Sequence, residues 1–355
     1  MRKFMNAKGA GLALMSAALF GASTPLAKAV LGEIGPLMVA GLFYFGAGIG
    51  LAAYRLFSNG RGVEAKLTRK HAPWLLGAIL SGGIAGPILL MLGLARTEAG
   101  TASLLLTLEA VATAIIALFA FREHIGWRNG VGFALIVLGG AALAWRGGFA
   151  APDLLGPLLV AGACAAWGID NNLTRQVASA DPTEIAMWKG LVAGPVSMAL
   201  AFAAGEGAPT LAPALGAMAI GVAGVGASLV LFILAMRDLG VARTGAYFGT
   251  APFVGAALAI LMFGESISWM FALAALLIGS GIIIHLTETH EHEHLHEPMT
   301  HQHVHVHDAH HQHAHEPGDP SGEPHVHRHR HERMQHSHTH TPDDHHRHGH
   351  NAAGR

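Results

Sequence analysis

The chain has 355 residues, of which 52% are hydrophobic and 13% are charged, and its formal net charge at pH 7 is −1. Soluble domains carry about 25% charged residues, so the composition excludes an ordinary soluble domain and favours a membrane protein. A nearly neutral chain offers no basic surface for nucleic acid. The sequence contains no nucleophile elbow, phosphate-binding loop or HExxH motif, so we expect no enzymatic activity. Its single cysteine, Cys164, excludes an intramolecular disulfide.

Ten apolar segments follow one another along the chain, each close to the roughly 20 residues that a membrane-spanning helix needs. The segments are continuous apolar runs and not short alternating ones, which favours helices over a membrane barrel. The predicted fold class is therefore an all-α membrane protein with ten transmembrane helices in a lipid bilayer. The predicted spans are residues 9–30, 36–56, 74–95, 100–120, 129–145, 154–175, 183–203, 214–235, 242–263 and 268–286.

The apolar part of the sequence repeats itself. Glu123 and Trp127 recur 142 residues later as Glu265 and Trp269, at span ends where we expect them to be structural. We therefore divide the chain into a first repeat of five helices (1–150), a second repeat of five helices (151–289) and a tail (290–355). Because five is an odd number, the second repeat is inverted relative to the first, an architecture typical of alternating-access carriers.

The basic residues predict the orientation of the chain in the membrane. With a cytoplasmic N-terminus, thirteen Lys and Arg residues lie on the cytoplasmic side and three on the opposite side. Cytoplasmic loops carry the excess of basic residues in membrane proteins. We therefore expect a multi-pass protein of the cell's inner membrane with both termini in the cytoplasm, and an N-terminal segment that is a span and not a removable signal.

The repeated motifs resemble the EamA-type carriers of the drug/metabolite transporter superfamily. The first repeat reads AALFGASTPLAK and then GLARTEAGTASLLLTLEAVATAIIALFAFREHIGW, and the second reads ACAAWGIDNNLTR and then AMRDLGVARTGAYFGTAPFVGAALAILMFGESISW. The resemblance covers nearly all of residues 1–289. It implies ten helices around a central cavity and, usually, export of small metabolites. The family's carboxylate has a counterpart at Glu109, whereas the second repeat has Ala251-Pro252 at the matching place.

Ionisable residues inside the membrane are the main candidates for function, because each costs several kcal/mol at that depth. Glu109 lies about 13 Å into its span, close to the midplane, where it either couples transport to protons or bonds a neighbouring helix. Asp170 and Lys189 lie at the same depth on consecutive spans, which predicts an ion pair. That pair is either static or broken by substrate or a proton during gating. Asn171 extends the polar turn after Asp170 and is a further candidate for substrate contact.

Three aromatic residues within the spans, Trp167, Tyr247 and Tyr44, are candidate cavity-lining residues. Their rings could stack on a planar or apolar substrate. For each residue taken singly, ordinary helix packing is the preferred interpretation.

The tail differs in composition from the rest of the chain, with 23 of the 26 histidines in its 66 residues. It has too few apolar residues for a core, so we predict that it is disordered and cytoplasmic. Alternating His-x-His places imidazoles on one side of an extended chain, and neutral imidazole binds Zn, Ni, Co or Cu. An unselected low-complexity tail and a pH-responsive one are the alternatives. The predicted metal ligands are His292, His294, His301, His303, His305, His307, His325, His327, His329, His331, His338 and His340.

Three functions follow from these features. The first is a secondary carrier that exports a small metabolite, with no obligatory cofactor and a tail that binds a transition metal. The second is a transition-metal exporter whose tail collects cargo. The third is a membrane-anchored metal chaperone or sensor. The spans lack a run of His, Asp and Glu that would lead a bare ion across the bilayer, and an anchor needs no inverted repeat, so the first function is preferred.

Overall fold

The structure is a computed structural model. It describes residues 2–57, 67–121, 127–144, 154–177, 180–239, 244 and 247–286, together with four segments of the tail. Within residues 2–286, every regular element described is helical. The predicted site residues Glu109, Trp167, Asp170, Asn171, Lys189 and Tyr247 all lie in this part of the chain, whereas Glu123 lies outside the described residues.

Seven α-helices lie in the described residues of the first repeat. Long apolar stretches form unbroken helices, whereas Gly- and Pro-rich stretches divide a span into two elements. The helices are α1 (Arg2–Val30), α2 (Pro36–Phe57), α3 (Ala72–Ala78), α4 (Gly86–Leu94), α5 (Ala99–Leu105), α6 (Leu108–Phe121) and α7 (Trp127–Ala144).

The second repeat follows the same plan with six described helices. Asp181 caps the N-terminus of one of them by accepting a bond from Thr183 N at 2.8 Å, and Pro182 occupies the first helical position that suits its missing N–H. The helices are α8 (Leu155–Thr174), α9 (Pro182–Ala203), α10 (Leu211–Gly221), α11 (Ser228–Leu239), α12 (Ala251–Phe263) and α13 (Trp269–Leu286).

The prediction of ten membrane spans is confirmed only in part. Seven helical stretches of the described chain are long and apolar enough to cross a membrane. Those at 251–263 and 269–284 are apolar but shorter, and the helix at 155–174 carries the polar turn around Asp170. The seven stretches are Lys8–Val30, Pro36–Phe57, Arg69–Leu94, Ala99–Ala120, Trp127–Ala144, Pro182–Ala203 and Leu211–Ala235.

A π-helical segment interrupts the third span of each repeat. The first runs over Ile79–Ala85 and the second over Val222–Ala227. Both segments are rich in glycine, and the first is followed closely by Pro87. Such segments leave backbone groups without their usual helical partners and often occur at functional sites.

Small residues allow the two repeats to approach closely where α2 crosses α9. A Cβ on Gly190 would lie 2.6 Å from the nitrogen of Gly48, so only glycine fits there. Large apolar side chains instead cover the outer surface, as lipid contact requires. The repeated residues Trp127 and Trp269 are 78% and 70% exposed, in agreement with a position at the membrane interface.

The predicted disorder of the tail is not confirmed, because the structure places four strands in it. They are β1 (His290–His296), β2 (Met299–His305), β3 (His325–His331) and β4 (Met334–His340). β1 pairs antiparallel with β4, and β2 pairs antiparallel with β3. The low apolar content predicts disorder, whereas the period-two alternation of histidine is a strand pattern. Of the predicted metal ligands, His307 lies outside the described residues.

Candidate functional site

Asp170 and Lys189 form an ion pair between α8 and α9. Lys189 Nζ donates to Asp170 Oδ1 at 2.7 Å and to Oδ2 at 2.5 Å. Thr174 Oγ1, one turn further along α8, donates to Asp170 Oδ1 at 2.9 Å. The side chains of Asp170 and Lys189 are 8% and 16% exposed. The structure therefore brings these two predicted residues together in an almost water-free pair.

The backbone of the first π-helical segment packs directly against this pair. A Cβ on Gly82 would overlap the carboxylate of Asp170, so the residue opposite the ion pair has to be glycine. The carbonyl of Gly82 accepts a bond from Tyr44 Oη at 2.9 Å and one from Trp167 Nε1 at 3.0 Å. In a π-helix the N–H of residue i+5 bonds the carbonyl of residue i. For the carbonyl of Gly82 the expected donor is therefore residue 87, which is a proline and has no N–H.

The sequence order therefore explains how this acceptor arises. Gly86 N bonds Ser81 O in the π-helical pattern, and Pro87 then leaves the Gly82 carbonyl to side-chain donors. Because a buried carbonyl needs a partner, the two aromatic donors hold α2 and α8 against this segment. Trp167, predicted as a cavity-lining ring, is thus anchored by its nitrogen. Tyr44, predicted like Trp167 as a cavity-lining ring, is anchored here by its hydroxyl group.

Glu109 lies at a break in the fourth span of the first repeat. The span is divided between α5 and α6 at Leu106 and Thr107, and the N–H of Glu109 bonds Leu106 O at 3.1 Å in a tight turn. Glu109 occupies the first turn of α6, where the positive end of the helix dipole favours a carboxylate. Broken helices of this kind are typical of substrate and ion sites in carriers.

A short hydrogen-bond chain joins Glu109 to α8. Asn171 Nδ2 donates to Glu109 Oε1 at 3.0 Å and to Thr113 Oγ1 at 3.1 Å. The adjacent Asn172 donates to Thr113 O at 3.1 Å and is buried, whereas Asn171 is exposed. The ion pair of Asp170 with Lys189 and the hydrogen bond of Asn171 with Glu109 are therefore adjacent, because Asp170 and Asn171 are consecutive residues of α8.

The second predicted aromatic residue, Tyr247, is placed apart from these bonds. It lies before α12, the residue is 37% exposed, and its carbonyl accepts a bond from Thr250 Oγ1 at 2.7 Å. Its neighbour Phe248 contacts Phe20 and Phe232 with ring centroids 5.3 and 5.0 Å apart. This aromatic cluster on α1 and α11 was not predicted, although Phe20 is the counterpart of Trp167 at a lag of 147 residues.

Two carboxylates in loops of the second repeat each bond the first N–H groups of a helix in the first repeat. Glu206 accepts bonds from Leu37 N and Met38 N, at 3.1 and 2.8 Å. Glu265 accepts bonds from Ala99 N and Gly100 N, at 2.7 and 2.8 Å. Backbone donors at a helix start are satisfied in this way by an anion.

We name these two contacts the carboxylate clamps. Glu265, predicted to be a structural residue at a span end, thus has a defined partner. A cleft of about 490 Å³ lies at this clamp. It is lined by Lys28, Arg96, Glu98 and Glu265, and by none of the predicted substrate residues. The opposite end of α2 carries a different inter-repeat contact, in which Arg55 bonds Asp181 at 2.8 Å.

Comparison with known proteins decides the family. The model of the EamA-like transporter family matches the chain twice, over residues 7–145 and 154–287. This chain belongs to the EamA-like transporter family. The two matches confirm the two repeats, and together with the apolar helices they make it a multi-pass membrane transporter.

Individual relatives agree with this assignment. An uncharacterised transporter of Methanothermobacter thermautotrophicus is 27% identical over 281 residues, which are 75% of this chain and 82% of the relative. The probable 4-amino-4-deoxy-L-arabinose-phosphoundecaprenol flippase subunit ArnE of Pseudomonas fluorescens is 40% identical over 83 residues, 23% of this chain and 71% of that protein. A solved crystal structure with 19% identity matches at a TM-score of 0.58, covering 78% of this chain and 95% of its own, and supports the fold.

Proposed function

We propose that the protein is a secondary carrier that exports a small polar metabolite across the inner membrane by alternating access. The observation that carries this proposal is that two polar contacts lie side by side on α8. They are the ion pair of Asp170 with Lys189 and the hydrogen bond of Asn171 with Glu109. Charged groups at membrane depth are expensive and mark substrate or proton pathways. The partial identity to a flippase subunit is consistent with cargo that has a polar head, but it supplies no substrate for this chain.

The proposed topology has ten spans, two inverted repeats and both termini in the cytoplasm. The distribution of thirteen basic residues on one side against three on the other supports this orientation. In this topology both carboxylate clamps lie at the outer surface and the contact of Arg55 with Asp181 lies at the inner surface. The clamps then close the outer side of the pathway in this conformation.

The proposed mechanism assigns separate roles to the polar groups. Asn171 and Tyr247 are exposed and contact the substrate that enters from the cytoplasm, while the anchored ring of Trp167 forms one wall. Glu109 gains or loses a proton, and its bond to Asn171 transmits that change to α8. Asp170 is directly before Asn171 on the same helix, and rearrangement of the Asp170–Lys189 pair then biases rocking of one repeat against the other.

The test of this proposal uses the Glu109→Gln variant in a strain that lacks the chromosomal copy. Metabolites that accumulate in the deletion strain are identified first, and their uptake into inside-out vesicles is then measured with and without a proton gradient. We expect E109Q to abolish gradient-driven uptake at normal expression. Glu33→Gln is the matched control, because Glu33 is an exposed carboxylate outside the site. Unchanged gradient-driven uptake by E109Q removes Glu109 from the mechanism.

We also propose that the tail binds a transition metal, as an accessory and not as the path of the cargo. Among the described residues whose side chains are placed, no group of three or more His, Cys, Asp and Glu is arranged to hold a metal ion. This favours an organic cargo over a bare metal ion. Cellular Ni, Co, Zn and Cu contents of the deletion strain, complemented by the full chain or by residues 1–289, test this choice. A metal that over-accumulates and is cleared by either form would establish metal export instead.

A further inference from the structure

The carbonyl of Gly82 has two alternative sets of hydrogen-bond donors. In this structure it accepts the bonds from Tyr44 Oη and Trp167 Nε1, at 2.9 and 3.0 Å. In an α-helix the same carbonyl would accept a bond from the N–H four residues later, which is that of Gly86. Here the Gly86 N–H instead bonds Ser81 O, five residues earlier, because the segment is π-helical. The carbonyl therefore bonds side chains in the π-helical register and the backbone in the α-helical register.

Pro87 restricts the carbonyl to these two states. An N–H at this position would donate to Gly82 O in the π-helical register and make the side-chain donors unnecessary. At the lag of 142 residues the counterpart of Pro87 in the second repeat is Leu229, which has such an N–H. The counterpart of Trp167 is Phe20, whose ring has no N–H. The sequence therefore provides the two-state arrangement at the first π-helical segment and not at the second.

The two side-chain donors converge on one oxygen atom. In the α-helical register the Gly82 carbonyl bonds the backbone, so the hydroxyl of Tyr44 and the indole N–H of Trp167 lose their acceptor. Both side chains are only half-buried, and Asn171, one turn after Trp167 on α8, is exposed. The indole N–H can only donate, and a desolvated donor needs a partner. The group that replaces the carbonyl therefore has to be an acceptor, such as the oxygen of a hydroxyl, carboxylate or phosphate group.

The same change of register reaches the ion pair. A Cβ on Gly82 would overlap the carboxylate of Asp170, so the backbone at Gly82 is in direct contact with that carboxylate. A change of register by one residue moves the backbone by about 1.5 Å along the helix axis. Close-packed groups do not absorb such a shift, so Asp170 has to move relative to Lys189.

We propose that the segment Ile79–Ala85 switches between a π-helical and an α-helical register, and that Tyr44 and Trp167 then exchange the Gly82 carbonyl for an oxygen atom of the substrate. This inference rests on the proposed carrier function and adds two substrate-binding donors and the chemistry of the atom they bind. The π-helical register and the substrate exclude each other, because both use the same two donors. Substrate binding therefore favours the register change that displaces Asp170.

The first test needs no substrate and measures release of the Trp167 indole N–H by NMR. The full-length protein is prepared in detergent micelles with ¹⁵N at the indole nitrogens, and the signal is assigned by its loss in Trp167→Phe. Pro87→Ala gives the Gly82 carbonyl a backbone donor, so we expect the Trp167 indole proton to exchange with water about fivefold faster. Pro195→Ala, at an exposed proline inside α9, is the matched control and should leave the rate unchanged. An unchanged rate in Pro87→Ala would overturn the switch.

The second test separates substrate binding from packing. Uptake of the metabolite that accumulates in the deletion strain is measured in inside-out vesicles over a range of concentrations. We expect Tyr44→Phe and Trp167→Phe each to raise KM about fivefold, as the loss of one hydrogen bond does. Tyr54→Phe and Trp188→Phe, at exposed rings, are the controls and should leave KM unchanged.

The double variant Y44F/P87A decides between the two roles of Tyr44. It gives the Gly82 carbonyl a backbone donor again, so it should regain the stability lost in Tyr44→Phe and keep the raised KM. A KM that returns to the wild-type value would show that Tyr44 only satisfies the carbonyl, and wild-type KM values in both single variants would equally refute the substrate contact. If the deletion strain accumulates no metabolite, the proposed carrier function fails and the substrate contact fails with it, whereas the indole measurement still decides the register switch.

Discussion

Substituting Asp170 by Asn should strongly destabilise the protein, because it leaves the ammonium of Lys189 without a counter-charge. The two side chains are only 8% and 16% exposed, so water cannot replace the lost partner. Removing one member of such a pair costs about 3–5 kcal/mol. Asn is the appropriate replacement, since Gly82 leaves no room for a larger side chain and the bond from Thr174 can be kept. We expect the free energy of unfolding, measured by denaturation from detergent micelles, to fall by about 3 kcal/mol.

The double variant D170N/K189M supplies the control for this prediction. Removing both charges also removes the penalty of burying them, so its stability should return to within about 1 kcal/mol of the wild type. If the pair is only structural, the double variant transports at the wild-type rate. If the pair rearranges during gating, as we propose, the double variant is folded and inactive. A single D170N variant with unchanged stability would refute the argument that the pair is desolvated.

Two further predictions concern the glycine opposite the pair and the carboxylate clamps. Gly82→Ala should abolish uptake into vesicles, because the added methyl group would overlap the Asp170 carboxylate; wild-type uptake by this variant would show that the segment can move aside. Glu265→Gln should weaken the clamp on α5 by about 1 kcal/mol, since a charged acceptor at a helix start is replaced by a neutral one. The buried Ser103 of α5 is replaced by cysteine (Ser103→Cys) to report on opening of the clamp. In this background E265Q should raise the labelling rate by an impermeant thiol reagent from outside. Glu98→Gln, which removes an exposed carboxylate that makes no capping bond, should not.

The apolar parts of the fold were predictable from sequence because each depends on a local pattern. Span length and hydropathy predict most of the helices, and equal depth on consecutive spans predicts the meeting of Asp170 with Lys189. The role of Gly82 was not predicted, because a backbone carbonyl has no side chain to signal it. Pro87 did offer a signal, since a proline deprives an earlier carbonyl of its helical donor. A search for prolines that follow glycine-rich stretches inside spans would have found it.

The carboxylate clamps and the tail show two different reasons for failure. The partners of Glu265 are backbone N–H groups 165 and 166 residues away, and no local pattern encodes such a contact. In the tail, composition and periodicity disagree: the apolar content predicts disorder, whereas the alternation of histidine predicts strands. The structure follows the periodicity in the four described segments, because paired strands need only backbone bonds and a matching register.

The repeat separates the packing at Asp170 from its charge. At the lags of 142 and 147 residues, Gly82 corresponds to Gly224 and Asp170 corresponds to Ser23. The structure pairs these counterparts too, since a Cβ on Gly224 would lie 2.6 Å from the Cβ of Ser23. The π-helical glycine of each repeat therefore packs against the first helix of the other repeat. Gly82 meets Asp170 on α8, whereas Gly224 meets Ser23 on α1. Packing against the glycine therefore does not require the carboxylate, whose charge instead pairs with Lys189, and the D170N/K189M variant decides whether that pair is needed for transport.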